Sequence, residues 1–382
     1  MSTRGRIYLD FNATTPMVDE AREAIIEALT AYGNPSSIHG EGRRMRDRIE
    51  RARSEVARLL GRAREHVVFT SGGTEANVLG VFAHARWAEA AAIERRAYVA
   101  RIEHPSLVGA VTALRARNWQ VNELEVSPSG EVQLPLRSEP FALVAISAVN
   151  HEIGTIANAG EWSEFMSAVR QGVEPERWSR IHVDAVQAAG KMELSAWSWA
   201  NSLAVSAHKI GGPQGVGALA IDGDSGLPIA AAGHQERGRR PGTENALGIV
   251  GFGAAAAAVA LSSWPRVVAL GDQLEAGLCA LPGVRIHGGK LRIGGTVNAG
   301  FSGALGESIA MALDLEGIAV STGAACTSGS IHASPVLLGL GMTPAQAREA
   351  VRFSLGRPTT AAQIDAVLAV LPNIVERARR YQ

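Results

Sequence analysis

Five short apolar runs along the chain each end in a cluster of polar or charged residues. The runs cover residues 67–69, 97–100, 141–147, 181–183 and 203–205. Segments with helical periodicity lie between most of them, and alternating strands and helices predict a mostly parallel sheet packed between helices. Such sheets bind ligands where their strands end. The pattern therefore predicts an α/β fold in which the five polar clusters converge on one site.

The helical segments carry their own boundary signals. Thr15 followed by Pro16 predicts a helix start. A second, amphipathic helix is expected to end at Gly61, and a long helix is expected over about residues 244–261. The apolar stripe of the amphipathic helix consists of Met45, Ile49, Ala52, Val56 and Leu59.

The pattern changes after residue 262. From residue 267 onward it predicts a helix, a strand over residues 296–301, a helix over residues 307–316, and then another strand and further helices. We therefore expect a large domain over residues 15–262 and a small α+β domain formed by residues 1–14 and 263–382.

Composition narrows the class of protein. Of 382 residues, 46% are hydrophobic and 19% are charged, which suits a large core and disfavours disorder. The net charge of +0 disfavours direct nucleic-acid binding. Two cysteines cannot form a disulfide framework or a cysteine-rich metal site, and they suit a reducing compartment. The N-terminal residues lack a signal-peptide pattern, and no apolar run is long enough to span a membrane, so a cytoplasmic protein is expected.

Two of the strand ends carry a pair of groups that one cofactor needs. Lys209 follows the apolar run at 203–205 and precedes a glycine-rich turn, and Asp184 ends the run at 181–183. A lysine amine can hold the aldehyde of pyridoxal phosphate (PLP) as a Schiff base, and a carboxylate can keep the pyridine nitrogen protonated. Taken alone, the Lys209 stretch is equally consistent with a structural lysine in a loop.

Three further features are candidates with open alternatives. The turn at residues 71–74 precedes a helix and suits an anion, although a tight turn explains its glycines equally well. Cys326 lies in a loop of small residues and is a candidate nucleophile, whereas Cys279 is expected to be inert and semi-buried in a helix. Arg352 begins an apolar strand and requires either a structural carboxylate or a substrate carboxylate.

Together these stretches resemble the NifS/IscS group of cysteine desulfurases, which are fold-type I PLP enzymes of the class V aminotransferase type. The matching stretches cover essentially the whole chain in the order of the family. They are YLDFNATTP (8–16), GNPSS (33–37), VFTSGGTE (68–75), EH (103–104), VDAVQ (183–187), SAHK (206–209), GHQERGRR (233–240), GTEN (242–245), AACTSG (324–329) and VRFSLGR (351–357).

The resemblance implies a role for each matching residue. Lys209 would carry PLP and later move protons, His104 would stack on the ring and take part in acid–base steps, and Cys326, on a mobile loop at about residues 321–331, would receive the sulfur. Arg352 would bind the carboxylate of L-cysteine, with Asn34 nearby. The remaining cofactor contacts implied are Gly73, Thr74, Asp184, Gln187, Ser206, His208 and, from the neighbouring subunit of a homodimer, Thr243.

The chain departs from the family at one position of the site. His151 stands where the family has an asparagine that contacts cofactor and substrate. Histidine still donates a hydrogen bond, but it is larger and can carry charge. Two other functions stay open: a selenocysteine lyase or another PLP lyase or aminotransferase, and a weakly active scaffold paralogue.

The expected activity is conversion of L-cysteine to L-alanine, with a persulfide on Cys326 that passes to an acceptor protein. The acceptor could serve iron–sulfur cluster assembly, tRNA thiolation or DNA phosphorothioation. No metal site, no membrane association and no direct nucleic-acid binding are expected.

Overall fold

A computed structural model describes residues 5–136, 140–222, 233–323 and 333–380. Within these ranges the chain forms eleven α-helices and twelve strands. In chain order the helices α1 to α11 are Asp19–Leu29, Gly40–Leu60, Gly73–Ala90, Pro105–Ala113, Ala159–Arg170, Ala246–Ala257, Trp264–Cys279, Gly306–Leu315, Pro335–Gly339, Pro344–Arg348 and Ala361–Arg380. The strands β1 to β12 are Ile7–Tyr8, Val67–Thr70, Arg96–Ala100, Gln120–Leu124, Leu143–Ser147, Arg180–Asp184, Ser202–Ser206, Gly217–Ile221, Val284–His287, Thr296–Phe301, Ile318–Ala319 and Ala350–Ser354.

Seven strands form the central sheet, in the order β2-β8-β7-β6-β5-β3-β4. Strands β3 to β7 are parallel to one another, whereas β8 is antiparallel to both β7 and β2. Strand β2 therefore runs in the same direction as β3 to β7, and β8 alone is reversed. The predicted α/β fold with a mostly parallel sheet is confirmed.

The central strands are buried along almost their whole length because helices cover the sheet. Every residue of β7 and β8 is buried, and β5 and β6 each have a single residue that is not. Burial of nearly every strand residue is typical of parallel sheets that are covered on both faces. Helix α3 packs on β6, β7 and β8.

The amphipathic helix predicted from its apolar stripe is α2. Met45, Ile49, Ala52 and Val56 are buried, and Leu59 is half-buried. The helix ends at Gly61, whose φ of +61° is a left-handed conformation that glycine adopts without steric cost.

A second, antiparallel sheet has the order β12-β10-β9, and helices α7, α8 and α11 pack together beside it. Strand β1 pairs in parallel with β11, so the N-terminal segment lies with this later part of the chain. The division into domains at residues 14/15 and 262/263 stays a prediction.

Three local expectations are wrong. The helix predicted from Thr15 begins only at Asp19, because Thr15 N–H and Val18 N–H donate to His208 O and Gly211 O and keep this segment extended. The long helix predicted over 244–261 covers only Ala246–Ala257. Cys279 is exposed rather than semi-buried, because it lies one residue beyond Leu278, the last buried position of α7.

Among the described helices, none is by itself long and apolar enough to span a membrane. The bent pair Ala246–Ala257 and Leu261–Cys279, with an angle of 59° between its parts, meets that test by length and composition only when taken together.

Candidate active site

A cavity of about 360 Å³ lies at the carboxyl ends of the parallel strands. All five predicted polar clusters contribute to its lining, so their convergence is confirmed. The residues that line it are Asn12, Ala13, Gly73, Thr74, Asn77, His104, Ser106, Ser147, Val149, His151, Asp184, Val186, Gln187, Ser206, His208, Lys209, Gly323 and Arg352.

Lys209 reaches this cavity from the short turn that follows β7. Its Nζ donates hydrogen bonds to Asn12 O at 2.6 Å and Ala13 O at 2.9 Å. The chain has three lysines, of which Lys290 is exposed and Lys191 is buried outside the cavity lining. Lys209 is therefore the lysine whose amine lines the cavity.

Asp184 is the last residue of β6 and is 5% exposed. Its Oδ2 accepts a hydrogen bond from Asn77 Nδ2 at 2.7 Å, and its Oδ1 accepts one from Val186 N at 2.9 Å. Each of its two carboxylate oxygens thus accepts one hydrogen bond. Asp184 can therefore face a cationic nitrogen in the cavity.

Asn77 and Ser106 line the cavity beside Asp184. Neither was predicted from the sequence as a site residue. Asn77 Nδ2 donates to Ser106 Oγ at 2.9 Å as well as to Asp184. Ser106 in turn contacts His104, whose Nδ1 lies 2.7 Å from Ser106 Oγ. Asn77 lies one turn after Thr74 among apolar helix residues, and this isolated polar position is the signal that could have identified it.

The turn between β2 and α3 brings backbone N–H groups to the cavity. A Cβ atom at Gly73 would lie 2.8 Å from Val186 Cγ2, so only glycine allows this approach. Thr74, Ser206 and His208 surround the same end of α3 in the lining. Burial, followed by the charge of Lys209, lowers the pKa of His208 to about 4. A helix N-terminus with hydroxyls and a neutral imidazole suits an anion.

A buried lysine, Lys191, orients the side chain of Gln187. Lys191 was not predicted from the sequence as a site residue. Lys191 Nζ donates to Gln187 Oε1 and Asn12 Oδ1, both at 2.8 Å. Because its oxygen accepts from Lys191, the Gln187 amide nitrogen is the donor, and it bonds Asn12 O at 3.0 Å. Burial, followed by the charges of Lys209 and Arg352, lowers the pKa of Lys191 to about 7.

Arg352 enters the cavity from the second sheet. Its Nη2 donates to Asp10 Oδ1 at 2.9 Å and its Nη1 to His151 O at 3.0 Å. Its buried Nε has no hydrogen-bond partner among the described residues. Arg352 thus has a structural carboxylate beside it and one donor to spare.

His151 faces His104, with 5.2 Å between the ring centroids and 76° between the ring planes. Burial, followed by the charge of His104, holds the pKa of His151 well below its usual range. A neutral imidazole therefore lines the cavity beside His104.

Glu152 connects this region to both flanks of the segment 324–332. Its Oε2 accepts from Ser334 Oγ at 2.5 Å, and a Cβ atom at Gly323 would lie 2.2 Å from the same oxygen. Burial raises the pKa of Glu152 to about 7.

Three predicted site residues are not among the cavity-lining residues. Asn34 is exposed in the loop before α2, where its Oδ1 accepts from Ser36 N at 2.9 Å. Thr243 is exposed in the loop before α6. Cys326 lies outside the described residues. The roles assigned to these three, like those of the other predicted site residues, stay predictions.

The chain matches the aminotransferase class-V family over residues 7–367. It is 40% identical over 386 residues to a cysteine desulfurase of Trichormus azollae, covering 98% of this chain and 94% of that protein. It is 37% identical to an IscS-like cysteine desulfurase of Mycobacterium tuberculosis over 394 residues, covering 98% and 97% of the two chains.

The fold also matches a solved structure. A NifS-like protein superposes on this chain with a TM-score of 0.87 at 30% sequence identity. The match covers 97% of this chain and 100% of the NifS-like chain. The sequence resemblance to the NifS/IscS group is thereby confirmed. The chain belongs to the class V aminotransferase family and, within it, to the cysteine desulfurases.

Proposed function

We propose that the chain is a PLP-dependent cysteine desulfurase, which converts L-cysteine to L-alanine and leaves the sulfur as a persulfide on Cys326. One observation carries the proposal more than any other. The lysine that lines the cavity shares that cavity with a strand-end carboxylate, Asp184, and with a helix N-terminus suited to an anion.

The donor set of the cavity fits PLP. The Lys209 amine suits the aldehyde, Asp184 the pyridine nitrogen and Gln187 the phenolic oxygen. When bound, PLP supplies an electron sink for bond changes at the substrate carbons. The groups that would hold its phosphate and ring face are Gly73, Thr74, Ser206, His208, His104 and His151.

Arg352 is the group that we assign to the substrate carboxylate. Arg352 lines the cavity, and the charge of its guanidinium suits an anion, since charge-assisted hydrogen bonds are about twice as strong as neutral ones. The neutral His151 ring lies beside it and can add a donor. Lys209 Nζ is then the group that takes and returns a proton at the substrate Cα.

Cys326 is the group that we assign to sulfur transfer. Its thiolate forms an S–S bond with the substrate sulfur while the Cβ–S bond breaks, and the carbon skeleton leaves as alanine after protonation at Cβ. Gly323 lines the cavity, and three residues extend at most about 11 Å, so the covalent chain keeps Cys326 within reach of the site.

Three finer assignments complete the proposal. We assign Thr243 to the phosphate of a neighbouring subunit, which implies a homodimer. A separate acceptor protein then collects the persulfide sulfur. The low cysteine content suits a reducing compartment such as the cytoplasm.

The test measures alanine and sulfide released from L-cysteine in the presence of a reductant, for the wild type and for Cys326→Ala. We expect equal amounts of the two products from the wild type and loss of turnover in the variant, with Cys279→Ala as the matched control that keeps turnover. Undiminished turnover of Cys326→Ala would instead identify a lyase. Bound PLP without turnover in the wild type would identify a scaffold paralogue.

A further inference from the structure

Behind Asp184, a chain of hydrogen bonds runs through the buried side chains Asn77, His182, Ser202 and His84. The distances are 2.7 Å from Asn77 Nδ2 to Asp184 Oδ2, and 3.0 Å from Asn77 Oδ1 to His182 Nε2. Ser202 Oγ lies 2.7 Å from both His182 Nδ1 and His84 Nε2. All five side chains belong to residues that are 5% exposed or less.

The position of each proton in this chain follows from Asp184. A carboxylate only accepts hydrogen bonds, so the Asn77 amide must turn its nitrogen toward Asp184 and its oxygen toward His182. An amide oxygen also only accepts, so His182 Nε2 must carry a hydrogen. The proton of His182 is therefore assigned by geometry.

The assignment continues into the core. Burial lowers the pKa of His182 to about 3, so the ring has one proton, and Nδ1 must accept from Ser202 Oγ. Ser202 has then donated its only hydroxyl proton and must accept from His84 Nε2. The remaining nitrogen, His84 Nδ1, is buried and has no hydrogen-bond partner among the described residues. This is consistent with an Nδ1 that carries a lone pair and no proton. In each of these four hydrogen bonds, the donor is therefore the group farther from Asp184 and the acceptor is the group nearer to it.

Asn77 also determines the proton position on His104. Its second amide hydrogen goes to Ser106 Oγ, so the Ser106 hydroxyl proton is directed to His104 Nδ1 at 2.7 Å. The backbone N–H of Ser106 donates to the same nitrogen at 3.2 Å. A neutral His104 must then carry its proton on Nε2.

We propose that Asn77 is a positioning residue for both Asp184 and His104, and that His182, Ser202 and His84 hold its amide in the required orientation. A reversed amide would place an oxygen against the Asp184 carboxylate and leave Ser106 without its donor. The inference rests on the proposed function only in taking PLP as the group that Asp184 and His104 face. It further implies that Nε2 of His104 donates, rather than accepts, a hydrogen bond in the resting enzyme.

The direct test reads ring protons rather than turnover. Long-range ¹H–¹⁵N spectra of the full chain with labelled histidine distinguish the two neutral forms of imidazole, and His→Gln variants assign the signals. We expect the Nε2–H form at His84, His104 and His182. A proton on Nδ1 of His182, or a charged His182, would overturn the inference even in an active desulfurase. If the three histidines show the expected Nε2–H form but the protein makes no alanine from L-cysteine, the proposed function would be overturned and the proton assignment would stand.

A pair of variants tests the consequence for the cofactor. Ser202→Ala removes the link between His84 and His182, whereas Ser202→Thr keeps the hydroxyl. Because a buried group that loses its partner is costly, we expect Ser202→Ala to raise the PLP dissociation constant of the apoprotein about tenfold. Ser202→Thr should stay within about twofold. Equal PLP affinity of Ser202→Ala and wild type, or equal weakening in both variants, would contradict the proposal.

Discussion

The cavity has two faces that differ in how completely their polar groups are paired. On the strand-end face, formed by Asn77, His104, Asp184 and Gln187, Asn77 uses both amide hydrogens and its oxygen. Asp184 accepts two hydrogen bonds. On the Arg352 face, formed by Asn12, His151, Gly323 and Arg352, the Nε of Arg352 lacks a partner among the described residues.

The difference indicates a division of labour. Groups fixed by several hydrogen bonds are preorganised, so they suit a ligand that stays bound through many turnovers. The less completely paired face carries a guanidinium whose charge a ligand can meet, which suits a substrate that binds and leaves. The cofactor should thus depend on the strand-end face and the substrate on the Arg352 face.

The largest effect should come from the residue that serves both faces. Replacing Lys209 by alanine removes the amine that we assign to both cofactor attachment and proton transfer. We expect alanine formation to fall by at least about 10³-fold. Borohydride treatment should also no longer fix PLP to the chain. Lys290→Ala removes an exposed lysine as the matched control, and a similar loss in that variant would contradict the assignment.

An intermediate effect should separate the two faces. Arg352→Gln removes the charge that we assign to the substrate carboxylate, so the KM for L-cysteine should rise roughly 10- to 100-fold, while the PLP dissociation constant changes little. Asp184→Asn should do the reverse and weaken PLP binding. Arg352→Lys, which keeps the charge but not the fork of donors, should lie in between. If Arg352→Gln weakened PLP binding as much as Asp184→Asn does, the proposed division between a cofactor face and a substrate face would be wrong.

The smallest effect concerns stability and its dependence on pH. Burial raises the pKa of Glu152 to about 7 from 4.5. The folded state therefore keeps a proton that the unfolded chain loses between these values, and stability falls as pH rises from about 4.5 to 7. Glu152→Gln cannot ionise, so its free energy of unfolding relative to that of the wild type should rise by roughly 3 kcal/mol between pH 4.5 and pH 7.

Chemical denaturation at several pH values checks this prediction. The difference between Glu152→Gln and wild type should grow from pH 4.5 to pH 7 and stay constant above it. Glu164→Gln makes the same change at an exposed glutamate of α5 and is the matched control. A difference for Glu152→Gln that is independent of pH would show that Glu152 is not held protonated.

The sequence predicted the parts of the site that local pattern determines. Lys209 and Asp184 each end an apolar run, and parallel strands place such ends at one edge, so both could be found without coordinates. The isolated polar position of Asn77 could at most have marked it as unusual, and the roles of Asn77 and Lys191 could not be predicted, because they depend on contacts with residues far along the chain. Asn77 bonds Asp184, which is 107 positions away. Lys191 bonds Asn12, which is 179 positions away.

The helix boundaries were mispredicted for a similar reason. The signal at Thr15 and Pro16 is valid locally, but backbone contacts with the loop at His208 and Gly211 keep residues 15–18 extended. Tertiary hydrogen bonds thus override a helix signal of this strength. The same contacts bring Asn12 and Ala13 to Lys209.

One measurement tests the account most directly. The wild-type protein is loaded with PLP, reduced with borohydride, digested and mapped by mass spectrometry. Since the chain has three lysines, each is distinguishable, and we predict the pyridoxyl label on Lys209 alone. A label on Lys191 or Lys290, or a chain that binds PLP without any reducible bond, would contradict the assignment of this cavity as the active site.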